Sequence, residues 1–132
     1  MSIATFVLAL GALAAPVNPF IGTQGGGHVF PGAAYPFGMV QLSPDTQTRH
    51  FKESYPWAAG YQYNDPTILG FSHTHFSGAG HSDLGDVLLL PIAGEVRLEP
   101  GNAEKPLSGY RSRFSHETEQ AQPGYYAVTL SD

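Results

Sequence analysis

The sequence predicts an all-β chain, an incomplete N-terminal half of a β-sandwich with antiparallel strands and long Gly/Pro-rich loops, on three observations. Sixteen glycines and eleven prolines fall within 132 residues, a density of turn formers that argues against long helices. Outside the first fourteen residues, no window of a dozen residues carries apolar side chains at a 3.6-residue period. Short β-type runs recur about every ten residues, split by Gly and Pro, as in a sandwich.

The elements follow in chain order. Residues 3–13 are apolar, and Ala12-Leu13-Ala14 fits a small-residue cleavage site, so residues 1–14 are expected to be a signal peptide although Met1-Ser2 brings no positive charge. That run is too short to span a bilayer, and a secreted or periplasmic location is expected, with no membrane span. Residues 17–132 form the expected domain. Residues 18–36 read as a structured loop in which Gly25-Gly26-Gly27 permits tight turns and close ligand approach. Strands are predicted at 38–43, with Val40 and Leu42 on one face, at 60–63, and at 68–75, where His73 and His75 share a side. The apolar run 86–90 predicts a strand buried on both faces. Further strands are expected at 92–98, 110–114 and 125–130, with a helical turn capped by Ser115 and a Pro123-Gly124 turn.

Composition removes several function classes. The net charge is −5 with six Lys and Arg, and Arg111 with Arg113 is the one close basic pair, so nucleic-acid binding is not expected. Without cysteine there is no disulfide, thiolate zinc site or cysteine nucleophile. No Gly-x-Ser-x-Gly elbow occurs. Glycoside hydrolysis needs two carboxylates across the scissile bond, and the spacing of the eleven acids nominates no pair.

The densest polar cluster runs from Phe71 to Asp86 and contains His73, His75, His81, Asp83 and Asp86. His73 and His75 either ligate a metal with His81 or Asp83, or hydrogen-bond a loop or a substrate; the missing Glu of a cupin-like site favours the second. Asp83 and Asp86 read as a fork for sugar hydroxyls or a cation, or as turn chemistry. Trp57, the single Trp, lies between Pro56 and Gly60; it either stacks on a pyranose or fills the core. His28, after the triple glycine, lines a pocket or faces solvent. His50 and His116 read as surface or capping residues.

Several blocks then occur in series: Val17-Asn18-Pro19-Phe20-Ile21-Gly22-Thr23, His28 to Gly32, Pro36-Phe37-Gly38-Met39-Val40-Gln41-Leu42-Ser43-Pro44-Asp45-Thr46, Gly60-Tyr61-Gln62-Tyr63, Gly70-Phe71-Ser72-His73-Thr74-His75, Ser82-Asp83-Leu84-Gly85-Asp86-Val87, Phe114-Ser115-His116-Glu117 and Pro123-Gly124-Tyr125-Tyr126. In order and content they resemble the N-terminal domain of glycoside hydrolase family 92, the calcium-dependent exo-acting α-mannosidases. The resemblance implies a β-sandwich packed on a C-terminal catalytic barrel, with the sugar between them. It implies inverting hydrolysis of terminal α-mannosidic linkages, α-1,2 among them, on mannose-containing glycans. The acid, the base and the Ca2+ ligands are expected mainly on the barrel, so this chain alone is expected to be inactive, with no catalytic or metal residue of its own. Trp57 resembles a substrate-contacting position, and His28, His73, His75 and Asp83 fall in motifs expected to wall the pocket. The implied N-terminal domain is longer than this chain. Two alternatives stay open: a free-standing carbohydrate-binding module stacking sugars on Trp57, and a metal-dependent β-barrel enzyme using His73, His75 and His81.

Overall fold

The computed structural model describes residues 17–47, 55–80, 86–103 and 108–131. The expected signal peptide, His50, His81 and Asp83 lie outside the described residues. The described chain is all-β, with strands β1 Ser43–Asp45, β2 Thr67–Ile68, β3 Gly70–Ser72, β4 Ser112–Arg113, β5 Gln120–Gln122 and β6 Tyr125–Ala127, and 3-10 turns at Tyr55–Trp57 and His116–Thr118. Long loops join these short antiparallel strands, as the glycine and proline content predicts.

The strands pair two by two. β1 runs antiparallel to β3 with Ser43 opposite Ser72 and Asp45 opposite Gly70. β2 pairs with β4, Thr67 opposite Arg113. β5 and β6 form a hairpin, Gln120 opposite Ala127, closed by the predicted Pro123-Gly124 turn with Gly124 at φ 78°, a conformation glycine adopts without steric cost. Single bridges join Ala33 to Leu42, Phe71 to Leu89 and Phe114 to Leu130. Segment 67–72 is therefore the spine: one half pairs with β4, the other with β1, and Phe71 exchanges both backbone bonds with Leu89 at 2.8 and 3.0 Å.

Several predicted strands are corrected. Within 38–43 only Ser43 is strand; Gly38 at φ 67° donates its N–H to the Ala34 carbonyl and turns the chain, leaving Val40 and Leu42 exposed. Segment 60–63 is a loop, because Gly60 at φ 82° directs the backbone to Thr46 and Thr23 instead of a ladder: the Thr46 N–H reaches the Gly60 carbonyl at 2.9 Å and the Tyr63 N–H the Thr23 carbonyl at 2.8 Å. The 68–75 run divides at Leu69, whose N–H bonds the Asp45 carbonyl, and strand geometry ends at Ser72, before His73. The run 86–90 is not buried on both faces; Val87, Leu88 and Leu89 are exposed, because one bridge at Leu89 is all that holds it to a strand. Residues 92–98 form no strand, and Val96 and Leu98 face outward. The Ser115 cap is as expected: its hydroxyl accepts the Glu117 N–H.

The interior is unusually polar. Trp57, Ala59, Tyr61 and Ile68 are its buried apolar members, beside Thr23, His28, Ser43, Thr46, Gln62, Thr67, Ser72, His75, Arg111, Ser112 and Glu119. Such a core is specified by hydrogen bonding, since buried polar groups are costly when unpaired. It also needs close backbone approach. A Cβ on Gly32 would sit 2.2 Å from the Leu42 carbonyl oxygen and 2.4 Å from Ser43 Cβ. Gly32→Ala is therefore expected to open the Ala33–Leu42 bridge and cost about 1–3 kcal/mol. Gly26→Ala, with nothing within 4 Å of the new Cβ, should stay within about 0.5 kcal/mol; urea unfolding of both variants checks this, and equal losses would contradict it.

Candidate functional site

Three loop segments converge beside β1 and β3. The 22–30 loop folds on itself through the Val29 N–H to the Gly22 carbonyl, and the Gly78 N–H reaches the His28 carbonyl at 2.8 Å. The Gln62 side-chain amide donates to the carbonyls of Gly25 and Pro56, tying the glycine loop to the Tyr55–Trp57 turn. The Gln62 N–H is taken by Thr46 Oγ1 at 2.9 Å. Segments 22–30, 55–63 and 73–80 thus form one wall, anchored on β1.

His28 sits in this wall at φ 48°, a conformation uncommon for a side-chain-bearing residue although histidine is enriched there. Its side chain is buried, and Nδ1 has no hydrogen-bond partner. The Tyr55 ring lies edge-on to it, 4.7 Å between centroids. Trp57 is 6% exposed, and its Nε1–H donates to Asp65 Oδ2 at 2.5 Å. The indole face is packed in protein, which removes the open platform that a free-standing sugar-stacking module on Trp57 requires.

His75 is also buried, 3% exposed. Nδ1 lies 2.6 Å from the Gln41 carbonyl, and Nε2 lies 3.1 Å from Asp45 Oδ1 and 3.2 Å from Ser72 Oγ. Ser72 in turn donates to Asp45 Oδ2 at 2.5 Å. The Phe30 ring, from the His28 loop, tilts over His75 at 5.4 Å. His73 takes a different direction: its Nδ1 lies 2.8 Å from the Val87 carbonyl, while Thr74 donates to Asp86 Oδ2 at 2.9 Å. His28, Trp57 and His75 therefore gather on one wall and His73 stands apart, facing 86–87. The expected shared side of His73 and His75 is corrected for the same reason: neither residue lies on a strand, and each ring turns to its own carbonyl. With both His75 nitrogens engaged, the pair cannot converge on one metal.

A second network escaped sequence reasoning. Glu119 is buried and accepts from Tyr61 Oη at 2.8 Å and from Tyr126 Oη through Oε1, while Oε2 meets His116 Nδ1 at 2.5 Å. His116 is no simple surface residue: it stacks on Tyr63 at 3.9 Å with 6° between planes. Burial, then the charge and hydrogen bond of Glu119, push the Tyr61 hydroxyl far above its ordinary value; Tyr126 is raised by burial and then by its bond to Glu119. Burial also lowers Arg111, whose Nη1 donates to Thr67 Oγ1. The available signal was the Ser115 cap, which places His116 and Glu119 three apart on one turn.

Among the described residues no group of three or more His, Asp or Glu side chains is placed to hold a metal ion. Asp45, Asp65, Asp86 and Glu119 are each committed to hydrogen bonds with neighbouring side chains. No helix among the described residues is long and apolar enough to cross a membrane.

Fold and site together define an all-β module whose loops build a wall, with Asp45, Asp65, Asp86 and Glu119 held in side-chain hydrogen bonds. Residues 16–132 match the glycosyl hydrolase family 92 N-terminal domain, and the chain belongs to that family. It is 57% identical to the family GH92 α-mannosidase BT3965 from Bacteroides thetaiotaomicron, solved in complex with mannoimidazole, with a TM-score of 0.79 over 86% of this chain and 14% of that one. The family GH92 glycosyl hydrolase ccman5 is 35% identical with a TM-score of 0.67, again over 86% of this chain and 14% of the other. An uncharacterized secreted glycosidase of Arthroderma benhamiae is 31% identical over 120 residues, 88% of this chain and 14% of the relative. The chain thus spans 14% of the length of the relatives it matches.

Proposed function

We propose that this chain forms the N-terminal, sugar-facing part of a secreted or periplasmic α-mannosidase that removes terminal α-mannose, α-1,2-linked in particular, from glycans with inversion. The observation that carries the reading is the 57% identity and 0.79 TM-score to an α-mannosidase solved with mannoimidazole. The proposed wall is the loops carrying His28, Trp57 and His75, with His73 set apart toward 86–87. Trp57 and His75 act from beneath, through Asp65 and Asp45, and fix the loops that meet the sugar. Calcium, held by the remainder of the polypeptide, supplies hydroxyl coordination there.

The proposed general acid and base lie on a C-terminal barrel. The engagement of Asp45, Asp65, Asp86 and Glu119 in side-chain hydrogen bonds supports this division for those four acids, since a glycosidase acid and base must be free to face the scissile bond. So does the outer surface. Tyr35, Phe37 and Met39 are 81%, 87% and 84% exposed, a run of large apolar side chains of the kind found at interfaces.

Two assays test the reading. The polypeptide that carries this chain should release mannose from α-1,2-mannobiose, with β-mannose as the first anomer seen by proton NMR; α-mannose first would exclude inversion, and no release from any α-mannoside would exclude the activity. The 132-residue chain alone should release none.

A further inference from the structure

We propose that the cavity between residues 90–97 and 109–112 is a carboxylate-binding site, in which the buried Arg111 guanidinium takes up a singly charged acid that the described residues do not supply. The cavity shares no residue with the loop wall, and the proposal does not depend on the mannosidase reading.

The cavity has a volume of about 250 Å³, and Leu90, Ile92, Glu95, Arg97, Tyr110 and Arg111 are among its lining residues. That is room for a carboxylate and several waters, each water taking about 30 Å³. Its two walls are tied together: Arg97 Nη1 donates to the Gly109 carbonyl at 3.3 Å, and the Tyr110 N–H donates to the Glu99 carbonyl at 2.8 Å. Arg111 is the buried charge of the lining, 5% exposed. Its Nη1 donates to a neutral hydroxyl, Thr67 Oγ1, at 3.2 Å, and its Nε has no hydrogen-bond partner. Among the described residues no carboxylate is ion-paired with it. Asp65, whose charge reaches it, is held by the Trp57 indole.

A guanidinium keeps its charge at any ordinary pH, and burying it without a counter-ion is strongly unfavourable. The anion therefore comes from beyond the described residues. Its class follows from the lining. Glu95 and Arg97 are exposed and offset one another, which leaves the single positive charge of Arg111. A doubly charged phosphate or sulfate would bring one negative charge too many. Leu90, Pro91, Ile92 and Ala93 offer an apolar face suited to the stem that carries a carboxylate. Two sources bring this same chemistry: an Asp or Glu side chain of the remaining polypeptide, or a free carboxylate.

The test compares the full polypeptide that carries this chain with its Arg111→Met variant, which keeps an apolar stem and removes the charge. If a side chain fills the site, Arg111→Met strands a buried carboxylate, and burial raises its folded pKa above the ordinary value of about 4. In chloride buffer the urea midpoint should then fall at about pH 7.5. That loss should shrink toward about pH 5, as the stranded acid takes up a proton in the folded state. If the acid is free, replacing chloride by acetate at equal ionic strength should raise the parent's midpoint more than that of Arg111→Met, because a ligand that binds the folded chain stabilises it. A crystal structure of the parent grown with acetate should place a carboxylate oxygen, from protein or from acetate, about 2.7–2.9 Å from an Arg111 nitrogen; it decides the matter where Arg111→Met does not fold. An Arg111→Met midpoint that is raised, unchanged or lowered equally at both pH values, with no greater acetate response in the parent, overturns the proposal. So does a parent crystal structure in which only water or chloride faces Arg111. Either result leaves the mannosidase reading untouched.

Discussion

Glu119→Ala is expected to destabilise the fold by about 3–5 kcal/mol, because removing one partner of a buried charged network leaves the others unpaired. The carboxylate is where three separate segments meet. Tyr61 comes from the 57–63 loop, Tyr126 from β6 and His116 from the turn that precedes β5, and all three direct donors at its two oxygens. Tyr61 is fully buried, so its hydroxyl has no water to turn to. Glu119→Gln should lose less, since one amide oxygen still accepts from a tyrosine while the amide nitrogen opposes the remaining donors. Tyr61→Phe should cost about 1–3 kcal/mol, the range for leaving a buried partner unsatisfied. Urea midpoints of the three variants give the order directly; a Glu119→Ala loss no larger than that of Tyr61→Phe would show that the carboxylate does not organise the junction.

The same network sets an alkaline limit. Tyr61 and Tyr126 are raised above their ordinary 10.0, so above that pH the folded chain holds protons that the unfolded chain has released. Stability from this source is complete below pH 10 and falls as the pH rises further. In a tyrosinate absorbance titration, two of the seven tyrosines should stay silent until the chain unfolds, and both should titrate at lower pH in Glu119→Ala than in the parent chain, burial still holding them above the others. All seven titrating together while the chain remains folded would contradict the geometry.

The fold class was legible in the sequence because turn chemistry is local. Gly124 turns the chain as the Pro123-Gly124 pair predicts, and Ser115 caps its turn as its side chain requires, whereas Gly38 and Gly60 read as strand starts and instead bend the chain. Strand boundaries were less legible because the pattern of alternation carries no knowledge of partners. Residues 68–75 alternate well, yet the segment serves two different sheets and so divides at Leu69. The apolar run at 86–90 looked like core, but burial depends on what covers a segment, and Leu89 meets the rest through one bridge. On the wall, His28 and Trp57 stood out by their Gly and Pro neighbours and His75 by its spacing from His73. Asp45 and Glu119 were not, because an acid joined to a histidine or tyrosine thirty or more residues away has no sequence signature. Single tyrosines such as Tyr61 read as ordinary apolar positions until their hydroxyl partner is seen.

His75→Ala is the second change with a large expected effect, about 2–3 kcal/mol. A fully buried ion pair would set a higher figure, but Asp45 retains 18% side-chain exposure, and water screens and partly replaces the lost contact. What is lost is a bridge: the imidazole joins the Gln41 carbonyl to Asp45 and Ser72 and carries the Phe30 ring of the His28 loop. Gly60 is built against the same group. A Cβ there would stand 2.4 Å from Asp45 Oδ1 and 2.8 Å from His75 Cδ2, at φ +82°, so Gly60→Ala alone must displace the pair as well as strain the backbone. If ring and glycine share one space, removing the ring makes room for the methyl group, and the two losses should not add. The double variant is then expected to be more stable than the sum of the singles predicts by more than about 0.5 kcal/mol. Additive losses in urea unfolding would mean that Gly60 is required only for its backbone angle, and that His75 does not reach across to hold the 57–63 loop in place.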